Sequence, residues 1–131
     1  MLVRPFIAPW SILLAAGVVY AADPGDAAAG KVYFTQTCKQ CHSAEPADGG
    51  GEIGPNLVGV FGRPAGVGDT RFAYSEALTN SKLLWNARTL DRFLTDPAMT
   101  VPGTTMAVPI PVAKDRNDVI AYFQSLGASA K

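Results

Sequence analysis

Apolar residues recur at helical spacing in three stretches of this 131-residue chain, at about residues 23–38, 86–95 and 114–126. Asn86 is a suitable cap for the second stretch, and Gly127 is a suitable stop for the third. The positions that share a face are Ala29, Val32 and Tyr33 in the first stretch, Leu90, Phe93 and Leu94 in the second, and Val119, Ile120, Tyr122, Phe123 and Leu126 in the third. The pattern predicts three main helices.

Glycine and proline dominate the segments between these helices. Residues 43–68 hold eight glycines and three prolines, and residues 97–111 hold four prolines and one glycine, so both segments are predicted to be irregular. The first helix is predicted to start at Asp23-Pro24 or at Asp26, and a short helix is predicted over residues 75–81. Since no stretch alternates as a strand does, we predict an all-α chain with long loops that wrap around something.

The first 21 residues resemble an export signal. Arg4 precedes an almost wholly apolar stretch over residues 6–19, and small residues allow cleavage after Ala21. The alternative is an uncleaved membrane anchor, because residues 2–22 are nearly long enough to span a membrane, although Arg4, Pro5 and Pro9 interrupt this segment. We therefore expect residues 1–21 to be a signal peptide and residues 22–131 to be one domain in the periplasm, with a membrane-anchored form that faces the periplasm as the alternative.

Composition limits the size and the partners of the exported part. Without residues 1–21 the chain keeps 110 residues, which suits one domain with a modest hydrophobic core. Arg4 is lost with the signal, so 10 Lys and Arg remain against 11 Asp and Glu, a formal net charge of −1. Because a nucleic-acid-binding domain would need a basic surface, no nucleic-acid partner is expected.

All the cysteine and histidine of the chain lies in one pentapeptide, Cys38-Lys39-Gln40-Cys41-His42. The spacing Cys-x-x-Cys-His is typical of covalent haem attachment, in which two thiols add to the haem vinyl groups and the next imidazole binds the iron. In bacteria this attachment takes place on the far side of the membrane. The pentapeptide and the export signal therefore agree.

Three other interpretations of the pentapeptide are less favoured. A zinc site needs about four nitrogen or sulfur ligands, and the chain offers three candidates. A redox dithiol usually follows a strand of a βαβ unit, whereas the residues before Cys38 are helix-like. A structural histidine is the commonest fate of an isolated His, but it does not explain a position directly after the second cysteine.

With His42 on one side of the iron, the other axial position is open to a methionine, a water molecule or a lysine amine. Met1 is lost with the signal, so Met99 and Met106 compete. Methionine is most often core filler, but Met106 lies in a proline- and glycine-containing loop that is suited to present one side chain at a fixed depth. A thioether ligand raises the potential and favours electron transfer over oxygen chemistry.

Short motifs follow one another in a fixed order from Gly30 to Leu126. They are Gly30 and Phe34, the pentapeptide, Gly54-Pro55-Asn56-Leu57, Gly59-Val60-Phe61-Gly62-Arg63, Phe72-Ala73-Tyr74-Ser75, Trp85, Leu90, Leu94, Asp96-Pro97, Pro102-Gly103-Thr104-Thr105-Met106 and Asp118-Val119-Ile120-Ala121-Tyr122. With these motifs the chain resembles the class I c-type cytochromes, in particular mitochondrial-type and long-loop bacterial members. The resemblance implies three main helices, one or two short ones, and long loops around one covalent haem c, with Gly30 packed against Tyr122.

The resemblance also implies the residues that hold the haem. Cys38 and Cys41 are then the thioether anchors, and His42 and Met106 are the axial ligands. The carbonyl of Pro55 accepts the free imidazole N–H of His42, which orients the ring and increases its donor strength.

Donors to the two haem propionates are implied in the same way. Arg63, Tyr74 and Trp85 resemble the donors that hold a buried propionate, and Ser75 and Thr104 resemble those at the other. A negative group in a dry pocket needs such partners. Core packing also explains Trp85, and the two interpretations are compatible.

The chain departs from the family pattern at several positions. Phe93 occupies a position where long-loop members usually have a tyrosine, and Leu78 replaces an asparagine. We therefore expect a drier haem pocket. Val108 replaces the aromatic residue that shields the haem edge, so that edge is expected to be more open. The lysines that mitochondrial-type members use for docking are largely replaced, with Thr37, Ala98, Met99 and Thr105 at several of their positions.

These observations predict a monomeric, exported, single-haem electron carrier and not an enzyme. Its partners are expected to be membrane or periplasmic redox proteins: a quinol-oxidising complex, a terminal oxidase, a reductase or a photosynthetic reaction centre. One alternative is a small haem peroxidase or gas-binding protein, but such a site normally uses a distal histidine, and His42 is the only histidine. The other alternative is a membrane-tethered subunit of a respiratory complex.

Overall fold

The computed structural model describes residues 23–49 and 53–128. In these residues it contains α1 (Ala27–Thr37), a 3₁₀ turn (Cys38–Gln40), α2 (Glu76–Asn80), α3 (Ala87–Thr95), α4 (Pro97–Thr100) and α5 (Ala113–Ala128). No strand forms among the described residues, so the predicted all-α class with long loops is confirmed. The predicted signal segment, residues 1–21, lies outside the described residues. Within them, no helix has the length and apolar character needed to cross a membrane.

Side-chain caps explain where three of the helices begin. Asp26 rather than Asp23 caps α1, because its carboxylate accepts the backbone N–H groups of Ala28 and Ala29. Asn86 caps α3 in a reciprocal arrangement with Thr89, and Ser75 caps α2. The capping residues therefore set these starts close to where the sequence pattern predicts them.

Two local predictions were wrong. The segment 97–111 was predicted to be irregular throughout, but its first four residues form α4. The Asp96 carboxylate accepts the N–H of Met99, and Pro97 occupies the first helical position, where a missing N–H leaves no hydrogen bond unmade. Gly127 was predicted to stop the last helix, yet α5 continues to Ala128.

The main packing contact of the fold is the crossing of α1 and α5. A Cβ built on Gly30 would lie 1.9 Å from the carbonyl oxygen of Asp118 and 2.9 Å from Cβ of Tyr122, so the expected close packing of Gly30 is confirmed. Beside this contact, the ring of Phe34 lies 5.5 Å from that of Tyr122 and 6.2 Å from that of Phe123, measured between ring centroids. The two terminal helices thus share one aromatic core.

A buried carboxylate joins the beginnings of these two helices. Asp118 accepts the backbone N–H of Asp26 at 2.8 Å and the ammonium of Lys114 at 2.6 Å. The hydrogen bond from Lys114, and then that from Asp26, hold the pKa of Asp118 below its usual value. Both oxygens of this carboxylate therefore contribute to the same junction.

Replacement of Gly30 by alanine is expected to destabilise the folded protein. The new methyl group must displace the backbone of Asp118, and overpacking costs about 1–3 kcal/mol and occasionally more. Alanine recovers roughly 1 kcal/mol through its higher helix propensity. Because the methyl group meets backbone atoms, the overpacking cost lies at the upper end of this range, and we expect a net loss of about 2 kcal/mol in the free energy of unfolding, measured by urea denaturation.

The matched control is Lys31→Ala, one residue further along α1 and exposed to solvent. It should change the free energy of unfolding by less than about 0.5 kcal/mol. Equal stability of Gly30→Ala and the wild type would contradict the packing of α1 against α5.

Candidate functional site

One cavity of about 300 Å³ lies between the end of α1, helix α3 and three loops. Every residue that the sequence analysis assigned to the site lines it: Cys38, Cys41, His42, Pro55, Arg63, Tyr74, Ser75, Trp85, Thr104 and Met106. The structure therefore brings together residues that are up to 68 positions apart in the chain. No aspartate, glutamate or lysine lines the cavity among the described residues.

The pentapeptide follows α1 through a tight turn. The backbone N–H groups of Cys41 and His42 both donate to the carbonyl of Cys38, at 3.1 and 2.9 Å. The two cysteines are not bonded to each other, and burial, with a smaller contribution from Cys41, raises the pKa of the Cys38 thiol to about 11. A raised pKa reduces the thiolate fraction, and the thiolate is the form that attacks in thiol–disulfide exchange. Within the described residues, no group of three or more suitable side chains is placed to hold a metal ion.

His42 is oriented by the backbone of the loop opposite. Its Nδ1 lies 2.8 Å from the carbonyl oxygen of Pro55. A carbonyl only accepts, so Nδ1 carries the proton and Nε2 keeps a free lone pair. Burial lowers the pKa of His42, and the hydrogen bond to Pro55 opposes this effect in part. The neutral ring therefore has one nitrogen available as a ligand.

The loop that carries Pro55 packs directly on the imidazole. A Cβ built on Gly54 would lie 2.6 Å from Cε1 and 2.8 Å from Nδ1 of His42, so only glycine fits without movement. Three residues after Gly54, the N–H of Leu57 donates to the carbonyl of Ser43 at 2.8 Å. The segment that holds the ring is thus fixed on both sides of Pro55.

Arg63 brings a positive charge to the cavity wall. Its Nη1 donates to the carbonyl of Val58 at 3.2 Å, while its Nε is buried without a partner. Among residues 23–49 and 53–128, this is the one buried side-chain nitrogen or oxygen atom without a hydrogen-bond partner. An unpaired buried donor costs free energy unless an acceptor meets it. The donor therefore suits an anionic group in the cavity, such as a haem propionate.

Three hydroxyl groups in the wall already take part in hydrogen bonds. Ser75 accepts the N–H of Leu78 as the cap of α2, and Thr104 accepts the N–H of Met106 at 3.4 Å. Both act as acceptors there, so their own protons are left for another acceptor. Tyr74 differs, because its hydroxyl donates its proton to the carbonyl of Val67 at 3.0 Å.

The remaining wall is apolar and rigid. Trp85 packs on Phe93 with ring centroids 5.0 Å apart, and Leu90 and Leu94 of α3 lie beside them. Met106 reaches the cavity from the loop after α4, whereas Met99 is 78% exposed and does not line it. Of the two methionines that compete for the iron, the structure favours Met106. A largely apolar cavity with a few polar groups in its wall and two candidate ligands fits a haem.

Sequence reasoning missed one residue of this region, Asp69. Its carboxylate is buried, and one of its oxygens accepts the N–H of Asn56 at 2.9 Å. Asn56 had been noted only as part of the Gly54-Pro55-Asn56-Leu57 motif. No local pattern around Asp69 signals this contact, because it depends on the path of the loop.

Known proteins share these features. The family model for cytochrome c matches residues 27–127. Cytochrome c of Tetrahymena pyriformis is 44% identical over 103 residues, which cover 78% of this chain and 90% of that protein. The cytochrome c-type cyt cy of Rhodobacter capsulatus is 44% identical over 103 residues, which cover 78% of this chain and 50% of that protein. The solved structure of cytochrome cH from Methylobacterium extorquens is 44% identical, has a TM-score of 0.70, and corresponds to 77% of this chain and 99% of that one.

An all-α chain whose loops enclose one cavity beside a Cys-x-x-Cys-His pentapeptide is a class I c-type cytochrome. The chain belongs to the cytochrome c family, whose members bind one covalently attached haem c and transfer electrons through it. The resemblance inferred from the ordered motifs is therefore confirmed at the level of family, fold and cofactor.

Replacement of Gly54 by alanine is expected to disturb the ligation of the haem. The added methyl group would meet the ring of His42 at 2.6 Å and push it away from the carbonyl of Pro55. We expect a mixture of low-spin and other haem species in the visible spectrum, and a lower melting temperature.

Gly127→Ala is the control for Gly54→Ala, because nothing lies within 4 Å of a Cβ at that position. Its visible spectrum should match that of the wild type, and its melting temperature should be equal or slightly higher, because alanine favours the helix more than glycine does. A wild-type spectrum in Gly54→Ala would show that the ring is not held by this contact.

Proposed function

We propose that the chain is a single-haem electron carrier, not an enzyme, and that His42 and Met106 are the axial ligands of its iron. One observation carries the proposal: His42, Met106, Cys38 and Cys41 all line the same largely apolar cavity. Cys38 and Cys41 then hold the cofactor through two thioether bonds, which matches the full cysteine content of the chain. When bound, the haem iron supplies a reversible one-electron couple.

The chain's own residues keep this site rigid and dry. The hydrogen bond from His42 to Pro55 holds the imidazole in one tautomer and one orientation. Trp85, Phe93 and their aliphatic neighbours exclude water from the middle of the cavity. Few atoms of such a wall have to move when the haem site gains or loses one electron.

The polar end of the cavity is suited to the propionates. The buried Nε–H of Arg63 points to the proposed role of this residue, and the indole of Trp85 lines the same wall. The hydroxyl protons of Ser75 and Thr104 serve the second propionate. Tyr74 takes part through its ring in the wall, while its hydroxyl proton holds the loop at Val67.

The main alternative is a peroxidase or gas-binding protein with an open axial position. Such chemistry normally needs a second base beside the iron, and His42 is the only histidine in the chain. The exposure of Met99 leaves Met106 to fill the axial position, which closes it to substrates. The observations therefore favour the carrier.

The mouth of the cavity is the proposed exit for the electron. Among residues 23–49 and 53–128, the exposed ones that line it are uncharged: Ile53, Val67, Thr105, Ala107 and Val108. We propose that partners are membrane or periplasmic redox proteins that dock here by apolar contact: a quinol-oxidising complex, a terminal oxidase, a reductase or a photosynthetic reaction centre. Because the described residues of the mouth carry no charge, they contribute little long-range attraction to this docking.

Met106→Ala is expected to abolish the sulfur ligation. The charge-transfer band of the Met-ligated ferric haem should disappear and the midpoint potential should fall, because a thioether favours ferrous iron. The reduced variant should also bind carbon monoxide, which the wild type should not bind rapidly. Visible absorption and redox titration measure these changes.

Met99→Ala is the control for the loss of Met106, since Met99 lies in α4, just before the loop that carries Met106, and outside the cavity. All its spectra should match the wild type. An unchanged charge-transfer band in Met106→Ala would rule out the proposed ligand. Rapid binding of carbon monoxide to the reduced wild type at neutral pH would support the gas-binding alternative.

We also propose that residues 1–21 direct export and are then removed. Arg4 and the apolar stretch over residues 6–19 support this. The mass of the protein purified from a periplasmic fraction should correspond to residues 22–131 with one haem. Retention of residues 1–21, with the protein in the membrane fraction, would favour a tethered form instead.

A further inference from the structure

One peptide group, between Pro55 and Asn56, is hydrogen-bonded on both of its sides. Its carbonyl oxygen lies 2.8 Å from Nδ1 of His42. Its N–H, on Asn56, donates to a carboxylate oxygen of Asp69 at 2.9 Å. The imidazole and the carboxylate are therefore connected through a single amide.

The carboxylate of Asp69 is buried, and each of its oxygens accepts a backbone N–H. Its side chain is 4% exposed, and its second oxygen accepts the N–H of Arg71 at 3.0 Å. Because both oxygens accept from backbone N–H groups, the charged form is the one that this setting stabilises. The guanidinium of Arg71 is 3.7 Å away, but its side chain is 63% exposed, so water weakens its effect.

The hydroxyl of Tyr74 holds Asp69 in place. It accepts the backbone N–H of Asp69 at 3.1 Å and donates to the carbonyl of Val67 at 3.0 Å. The residue that carries the carboxylate is thus fixed by its backbone as well as by its side chain.

The side chain of Asn56 fixes the plane of the shared peptide group. Its amide nitrogen donates to the carbonyls of Glu45 and Asp48, at 2.8 and 2.6 Å. Its amide oxygen accepts the N–H of Val58 at 2.9 Å. The peptide group cannot rotate without loss of several hydrogen bonds, so the connection between Asp69 and His42 is preserved.

We propose that Asp69 is a positioning residue that tunes the iron through His42, an inference that rests on the proposed role of His42 as axial ligand. A negative charge at the N–H side of an amide polarises it and makes its carbonyl oxygen a stronger acceptor. The stronger bond from the imidazole N–H increases the donor strength of the ring toward the metal. Greater donor strength stabilises the ferric state, so Asp69 lowers the midpoint potential.

Asp69→Asn tests this proposal, with Asp48→Asn as the matched control. Both residues line the same small polar cleft beside Asn56, and both changes remove one negative charge. The carboxylate of Asp48 accepts from the hydroxyl of Ser43 and not from the shared peptide group. Redox titration of the haem-loaded proteins gives the potential. Because His42 is the only histidine, labelling with ¹⁵N-histidine gives NMR signals from that ring alone.

In Asp69→Asn the ferrous-to-ferric ratio at fixed ambient potential should rise at least twofold above the ratio in Asp48→Asn. For a one-electron couple this is about 18 mV. The Nδ1–H proton of His42 and the amide proton of Asn56 should both move upfield in the reduced protein. Asp48→Asn should leave both protons at their wild-type positions.

Equal midpoint potentials in the two variants would overturn the proposal, because Asp69 would then have no specific effect. A higher potential in Asp69→Asn with the Nδ1–H proton at its wild-type position would also overturn it, because the change would then be a simple charge effect. If Asp69→Asn does not fold, the wild type provides the test. A scalar coupling across the hydrogen bond, between ¹⁵N of Asn56 and the carboxyl ¹³C of Asp69, should be present, and its absence would overturn the proposal. A wild-type spectrum without histidine ligation would instead show that the proposed function is wrong.

Discussion

The contact between α1 and α5 at Gly30 is the one on which the rest of the structure depends. The turn that contains Cys38 continues directly from α1, so the position of this helix decides where the pentapeptide meets the loops. Phe123 of α5 lines the cavity and also packs on Phe34 of α1. A side chain at position 30 would separate the helices and would move one wall of the site relative to the others.

In the loops, hydrogen bonds between side chains and the backbone fix the conformation that helix or sheet hydrogen bonds fix elsewhere. Residues 53–60 contain no helix or strand, yet Asn56 is bonded through its backbone and through both ends of its side chain. Such bonds specify one loop conformation where a helix or sheet ladder cannot form. The same bonds place Pro55 opposite His42, so the order of the loop and the orientation of the imidazole have one physical cause.

Much of the fold was predictable from the sequence because its signals are local. Asp26 and Asn86 are side chains that cap a helix through neighbours two or three residues away, and the cysteine spacing is a short covalent requirement. Helix α4 was missed because Pro97 was interpreted only as a stop, although proline is also favoured at the first position of a helix.

The contacts of the site that escaped prediction are not local. Asp69 accepts the N–H of Asn56, which is 13 residues away in the sequence. No periodicity or motif in the sequence predicts this contact. The hydrogen bond from the Tyr74 hydroxyl to the carbonyl of Val67 likewise depends on how one loop turns back on itself. The residues that line the cavity could be named from ordered motifs, and the contact of His42 with Pro55 from the family resemblance. The partners of Arg63, Tyr74 and Asp69 required the structure.

The uncharged mouth has a consequence for how fast the carrier can work. Proteins that meet without electrostatic attraction associate at roughly 10⁵–10⁶ M⁻¹s⁻¹, far below the rates of strongly steered pairs. Val108, Thr105 and Ile53 offer no charge to raise that rate. Confinement to the surface of a membrane replaces attraction by a high effective concentration, because the carrier and its partners then share a thin layer. For this mouth, retention of residues 1–21 as an anchor would increase the number of encounters per second without any change in the docking surface.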